Sequence, residues 1–271
     1  LGQVDASVGG KNGVNVDGYK NMAGTFNQPQ FVICDPGLLR TLPDREFRAG
    51  LAEVVKAAII ADADLFGRIE NTTFEALRTD TDLLTDAVSA AIRVKADIVE
   101  RDERESGERR KLNLGHTFAH AIEKCGNEFL HGEAVAIGTV MIARLSAHLG
   151  TATQDEADRV RRVFERMGLP IRTEIDFKRL VKALKHDKKK EADSVSFVLL
   201  RGIGDCEIRR FTFDEIDRLP QGTALLLMVH AAEHHDAGEA GEDFQHFGIL
   251  LNLHRELTGG GQDQRARAAG L

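Results

Sequence analysis

The chain has 271 residues, of which 36 are Lys or Arg and 43 are Asp or Glu, so its formal net charge at pH 7 is −7. Apolar residues make up 42%, which is enough for a hydrophobic core and excludes a wholly disordered protein. The acidic balance argues against nucleic-acid binding, and no apolar run is long enough to span a membrane. The cysteines Cys34, Cys125 and Cys206 are too few and too scattered for a disulfide framework. We therefore expect a cytoplasmic protein with neither a nucleic-acid nor a membrane partner.

The first 43 residues are rich in Gly and Asn, and the apolar run at residues 31–34 is typical of a strand. After Pro43 the apolar residues recur every three or four positions, which predicts helices as far as about residue 186. The predicted helices cover residues 51–59, 84–99, 112–123, 133–149 and 156–167, with one more after Asp176. Residues 196–200 and 207–211 predict a hairpin. The expected fold is an α/β segment followed by a mostly α-helical domain with a small β-hairpin.

Composition changes again near Pro220. Residues 222–271 hold five of the ten histidines and a run of three glycines. The spacing of these histidines matches no structural zinc pattern, so we expect no second metal site there. We predict an α/β segment at residues 1–43, a helical domain at 44–221, and a disordered or frame-shifted tail at 222–271.

Polar residues lie where helix packing would place apolar ones. Arg109, Asn113, His116 and His120 are four, three and four positions apart, so a helix that begins early enough carries all of them on one face. A solvated face is the simple alternative. A further histidine, His131, opens the next predicted helix, and this convergence favours a functional site.

The same region offers metal ligands. The pair His116 and His120 has the spacing of a zinc protease motif but lacks its glutamate. A catalytic zinc commonly takes two histidines and a carboxylate, and Glu53 lies in the most apolar helix, where an unpaired carboxylate is costly. Lys56 follows on the same helix face, and Lys95 also has apolar helical neighbours. Buried lysines need anionic partners, so we expect ion pairs here.

The segment at residues 9–13 is rich in glycine but is not a Walker A loop, because the required first Gly and the Ser or Thr are missing. Its backbone N–H groups, with Lys11, Lys20 and Asn21, can still hold a phosphate. The residues alone therefore predict a metal site beside a cationic pocket for an anionic small molecule.

A series of motifs carries a family resemblance: residues 4–11 (VDASVGGK), 19–22 (YKNM), 41–43 (TLP), 49–56 (AGLAEVVK), 112–120 (LNLGHTFAH), 130–135 (LHGEAV), 186–189 (HDKK) and 197–200 (FVLL). Over residues 1 to about 219 the chain resembles the 3-dehydroquinate synthases. The resemblance implies a nucleotide-binding α/β domain, a helical metal-binding domain and an active site between them. Residues 1–43 would then be a remnant of the NAD-binding domain, with its glycine-rich turn expected before Leu1.

The resemblance also implies roles for individual residues. The metal ligands, for Zn²⁺ or Co²⁺, would be Glu53, His116 and His131. The substrate pocket would contain Asp5, Lys11, Asn21, Lys56, Lys95, Arg109, Asn113, His120, Lys188 and Lys189. The catalytic members among them would be Lys11, Lys56, Lys95, Arg109, Asn113 and His120. NAD would contact Lys20, Thr41 and Glu46.

The implied activity is that of a phosphate-eliminating lyase in the shikimate pathway, which leads to chorismate and the aromatic amino acids. The substrate would be the phosphorylated sugar acid 3-deoxy-arabino-heptulosonate 7-phosphate, and a homodimer is the expected assembly. NAD would take and return a hydride, phosphate would leave, and the opened ring would close by aldol addition. The alternatives are a sibling sugar-phosphate cyclase, a metal-dependent polyol dehydrogenase and an inactive truncated fragment.

Overall fold

The computed structural model describes residues 2–16, 19–126, 128–187 and 194–219. The strands are β1 (Lys11–Val16), β2 (Tyr19–Phe26), β3 (Ser194–Gly202) and β4 (Asp205–Thr212). The α-helices are α1 (Asp44–Ala61), α2 (Ala63–Glu70), α3 (Phe74–Thr79), α4 (Thr81–Arg101), α5 (His116–Cys125), α6 (His131–His148), α7 (Gln154–Arg166), α8 (Phe177–Asp187) and α9 (Phe213–Arg218). Short 3₁₀ turns cover Pro36–Thr41 and Glu108–Asn113. The predicted mostly helical domain with a small hairpin is confirmed.

Helix α6 lies at the centre of the helical domain. Its sequence is apolar around most of the circumference, so it is stable only when covered on all sides. It packs against α1, α5, α7 and β3. Two glycines permit the closest approaches, since a Cβ at Gly132 would overlap the carbonyl of Ala49, and one at Gly138 would overlap the carbonyl of Gly115. The first residues of α5 and α6 are thereby held beside α1.

The strands form two antiparallel hairpins. In the first, β1 pairs with β2 with Lys11 opposite Phe26. In the second, β3 pairs with β4, and the hairpin is anchored on α6 because the Leu200 N–H donates to the Ser146 hydroxyl over 2.9 Å. This second hairpin is the one predicted from the sequence.

The apolar run at residues 31–34 is not a strand, so that prediction is wrong. Phe31 and Ile33 are 73% and 81% exposed, and no described strand lies beside them. A strand needs a neighbour for its backbone N–H and C=O groups, and the chain instead turns into the 3₁₀ segment Pro36–Thr41. The N-terminal strands are β1 and β2, whose Gly- and Asn-rich sequences show little apolar alternation.

The helix predicted over residues 112–123 is confirmed from His116 onward, but its predicted first turn is wrong. Gly115 has a φ of 75°, which a right-handed helix cannot contain, so the 3₁₀ turn Glu108–Asn113 ends before α5 begins at His116. Arg109 and Asn113 therefore share no helix face with the histidines. Their spacing matched a helical period by coincidence.

The boundary near Pro220 and the tail at residues 222–271 lie outside the described residues, and the domain limits stay predictions. Within the described ranges, no helix combines the length and the apolar character that a membrane crossing requires.

Replacing Gly138 with Ala should lower the free energy of unfolding by about 1–3 kcal/mol, because the added methyl group overlaps backbone and forces α5 and α6 apart. Gly67→Ala in α2 is the matched control, since nothing lies within 4 Å of its added Cβ. It should raise stability by about 0.5–1 kcal/mol. Urea unfolding of both variants measures the difference, and equal effects would contradict the close approach.

Candidate active site

His116 opens α5 directly after the left-handed Gly115. Its Nδ1 lies 3.0 Å from the carbonyl oxygen of Leu114, and its Nε2 lies 3.7 Å from Glu53 Oε1. Because a carbonyl only accepts hydrogen bonds, Nδ1 carries the proton and Nε2 keeps its lone pair in the neutral ring. The turn that breaks the predicted helix thus aims one unprotonated nitrogen at Glu53.

His131 opens α6, and its ring centre lies 5.2 Å from that of His116. Its Nε2 lies 3.6 Å from Glu53 Oε1. The helix start is held by Glu133, whose carboxylate accepts the Leu130 N–H over 2.8 Å and two bonds of 2.7 Å from Arg45. This clamp fixes the backbone from which the imidazole projects.

Glu53 supplies the buried carboxylate of the site. Its Oε2 lies 2.5 Å from Lys56 Nζ in an ion pair, and neither Oε2 nor Oε1 accepts a hydrogen bond of normal geometry from any described residue. The ligand atoms of Glu53, His116 and His131 lie within 4.8 Å of one another. A carboxylate and two imidazoles that leave a position open are a common catalytic zinc set. Glu53 Oε1 and the Nε2 atoms of His116 and His131 that face it are therefore suitable ligands for Zn²⁺ or Co²⁺.

The charges around Glu53 and His116 keep both side chains in the protonation state that a metal ligand needs. Burial alone would raise the pKa of Glu53, but the Lys56 ammonium lowers it, so the carboxylate stays ionised. Burial would lower the pKa of Lys56, and the carboxylates of Glu53 and Asp5 raise it. Burial and the charge of Lys56 lower the pKa of His116 to about 4. The His116 ring is therefore neutral at pH 7, as a metal ligand must be.

Lys95 lies beside this cluster. Its Nζ is 2.6 Å from Asp5 Oδ1, and its side chain is 12% exposed. Burial lowers the pKa of Lys95, and the two ammonium groups of Lys56 and Lys95 lower the pKa of Asp5 in spite of its burial. The expectation that both apolar-face lysines have anionic partners is confirmed: Lys56 pairs with Glu53, and Lys95 pairs with Asp5.

Arg109 is buried and holds the glycine-rich segment. Its Nη2 donates to the Gly9 carbonyl over 2.6 Å, and its Nη1 donates to the Glu103 carbonyl. Gly9 has a φ of 103°, and a Cβ there would overlap the guanidinium. The structure thus places Arg109 against the loop that precedes Lys11.

Glu105 is a residue that the sequence analysis missed. Its carboxylate forms an ion pair with Lys11 and accepts a 2.8 Å hydrogen bond from Asn113 Nδ2, so it joins two of the predicted substrate residues. It is a non-glycine residue with a φ of 59°. In the sequence it belongs to a charged run at residues 100–105, and no local signal distinguishes it from a solvated helix end.

The remaining predicted residues divide into three groups. His120 lies next to the cluster, with its ring centre 5.7 Å from that of His116 and 6.4 Å from that of His131. Thr41 and Glu46 are exposed. The side chains of Lys20, Asn21, Lys188 and Lys189 lie outside the described residues.

Comparison with protein families matches nearly all of the described chain. Residues 1–49 match the family model of the 3-dehydroquinate synthase N-terminal domain, and residues 50–190 match that of the C-terminal domain. Among curated relatives, 3-dehydroquinate synthase of Nitrosospira multiformis is 48% identical over 208 residues, covering 75% of this chain and 57% of its own length. The Geobacter metallireducens synthase is 46% identical, with coverages of 78% and 59%. The chain thus spans just under three fifths of these relatives.

Solved structures show the same architecture. The 2-epi-5-epi-valiolone synthase ValA of Streptomyces hygroscopicus was solved with NAD⁺ and Zn²⁺ bound. It superposes on this chain with a TM-score of 0.74 and is 31% identical in sequence. The match covers 85% of this chain and 64% of ValA. A 2-deoxy-scyllo-inosose synthase superposes with a TM-score of 0.67 at 23% identity, covering 79% and 61%, and supports the fold alone.

Removing Glu53 should destabilise the fold, because it leaves the buried Lys56 ammonium without its carboxylate partner. We expect Glu53→Ala to lower the free energy of unfolding, measured with a metal chelator present, by about 3–5 kcal/mol. The double variant Glu53→Ala/Lys56→Met should recover part of that loss, because it removes the uncompensated ammonium. A double variant less stable than the single one would contradict the pairing.

Proposed function

Because the chain belongs to the 3-dehydroquinate synthase family, we propose that it provides the metal and substrate site of an enzyme that converts 3-deoxy-arabino-heptulosonate 7-phosphate into 3-dehydroquinate and phosphate. The observation that carries the proposal is the cluster of Glu53, His116 and His131 beside the paired lysines. Identities of 46–48% to 3-dehydroquinate synthases, against 31% to valiolone synthase, favour this activity over that of a sibling cyclase.

We assign Glu53, His116 and His131 as the ligands of Zn²⁺ or Co²⁺. When bound, the ion would polarise a substrate hydroxyl and lower its pKa. The two histidines present Nε2 lone pairs, and Lys56 keeps Glu53 ionised. His120 is close enough to the cluster to orient a substrate hydroxyl or accept its proton on an imidazole nitrogen.

The cationic groups would hold the two anionic ends of the substrate. Lys11 and Asn21, with Lys188 or Lys189, are assigned to the phosphate, and Lys95 to the carboxylate. Arg109 would serve the same end through Gly9, since its guanidinium holds the loop that presents Lys11. Asn113 would also help to position Lys11. Its side-chain amide donates to Glu105, and the Glu105 carboxylate forms the ion pair with Lys11.

Lys20, Thr41 and Glu46 are assigned to contacts with NAD. The nucleotide supplies reversible oxidation of a substrate hydroxyl when bound, so no net oxidation results. A homodimer and a cytoplasmic location complete the proposal, and the described cysteines Cys34, Cys125 and Cys206 are all free, as a reducing compartment requires.

The function is tested by incubating the protein with the heptulosonate phosphate, NAD⁺ and Zn²⁺. We expect release of inorganic phosphate without accumulation of NADH, and we expect His116→Ala to abolish both Zn²⁺ binding and phosphate release. In a parallel incubation with a polyol in place of the heptulosonate phosphate, accumulation of NADH would instead identify a dehydrogenase. Full metal content in His116→Ala would contradict the ligand assignment.

Lys95→Ala should raise the KM for the heptulosonate phosphate about 10–100-fold, the effect of losing one charge-assisted hydrogen bond, and should leave Zn²⁺ content unchanged. The matched control is Lys182→Ala, because Lys182 is an exposed lysine on α8. If KM is unchanged and only the melting temperature falls, Lys95 serves to neutralise Asp5 and does not bind substrate.

A further inference from the structure

We infer that Glu123 is a positioning residue of the metal centre, which holds His131 by its Nδ1 so that Nε2 faces Glu53. The inference rests on the proposed metal site. It extends that site by a residue that none of the sequence motifs singled out for a role.

Glu123 reaches His131 from a neighbouring helix. It lies on α5 two helical turns after His116, and therefore on the face that carries the first histidine. Helix α5 packs along α6, which His131 opens. Glu123 Oε1 lies 3.1 Å from His131 Nδ1, and the Glu123 side chain is only 13% exposed. The contact is a hydrogen bond between a largely buried carboxylate and a half-exposed imidazole.

This hydrogen bond decides which nitrogen of His131 is available. A carboxylate only accepts, so Nδ1 carries a proton, and in the neutral ring Nε2 keeps its lone pair, 3.6 Å from Glu53 Oε1. Carboxylate–histidine pairs of this kind orient metal ligands and increase their basicity. Glu123 thus accepts a hydrogen bond from Nδ1 of His131, as the Leu114 carbonyl accepts one from Nδ1 of His116.

His131 needs this restraint more than His116 does. The His131 side chain is 47% exposed, whereas that of His116 is 11% exposed and confined by packing. Packing fixes a half-exposed imidazole less firmly than a buried one, so a directed hydrogen bond contributes more to its orientation. The negative charge of Glu123 selects the one orientation that completes the cluster.

A merely structural bond between α5 and α6 would give a different result. Loss of such a bond lowers the stability of the fold and leaves the metal affinity of the folded molecules unchanged. The test therefore measures metal affinity and stability separately.

The experiment compares the full chain with Glu123→Ala and Glu123→Gln. The Zn²⁺ dissociation constant is measured by competition with a chromophoric chelator, the geometry by the visible absorption spectrum of bound Co²⁺, and stability by thermal unfolding of the metal-free proteins. The control is Glu70→Ala, which removes a carboxylate on α2 that accepts bonds of 2.9 and 2.7 Å from Arg159 on α7, an ion pair that includes no residue of the cluster.

We expect Glu123→Ala to weaken Zn²⁺ binding about 10–100-fold and to change the Co²⁺ spectrum. Glu123→Gln should be intermediate, because its amide oxygen accepts the hydrogen bond without the charge. Glu70→Ala should leave the affinity unchanged.

Equal affinities of the parent and Glu123→Ala would overturn the role of Glu123 and leave the metal site intact. If the parent chain itself binds no Zn²⁺, the proposed metal site is wrong, and the inference falls with it.

Discussion

The buried carboxylate of Glu53 is the constraint on which this structure depends. A carboxylate on the largely buried helix α1 is stable only if positive charge or a metal compensates it, and Lys56 on the next turn supplies the first compensation. Its second oxygen faces His116 and His131, which come from the first residues of two other helices. The close packing of α6 on α1 and α5, which Gly132 and Gly138 allow, brings those residues within reach.

Polar contacts join the N-terminal segment to the helical domain at the edge of this site. Asp5 pairs with Lys95, Lys11 pairs with Glu105, and the Gly9 carbonyl accepts from Arg109. These groups include residues that the family resemblance assigns to the substrate. The charged side chains among them hold the two segments together, and in the proposed function they also act on the substrate, so we expect a change in any one to affect stability and binding together. Separate measurements of both quantities are needed to assign a role.

The two histidines turn the same nitrogen, Nε2, toward Glu53 by different means. His116 is neutral because it is buried beside Lys56, and a backbone carbonyl fixes its proton on Nδ1. His131 is half exposed and depends on the Glu123 carboxylate for the same arrangement. One ligand is thus positioned by burial and backbone, and the other by a side chain from a packed helix. The second arrangement is the more sensitive to substitution.

Local features can be predicted from the amino-acid sequence alone. The helices around Glu53 and Lys95 follow from apolar periodicity, and the pairing of Lys56 with Glu53 follows from their separation of one helical turn. The absence of a strand at residues 31–34 depends instead on tertiary packing, since a strand requires a distant partner. The contacts of Glu105 with Lys11 and of Glu123 with His131 also depend on how separate segments pack. No periodic pattern in the sequence predicts them.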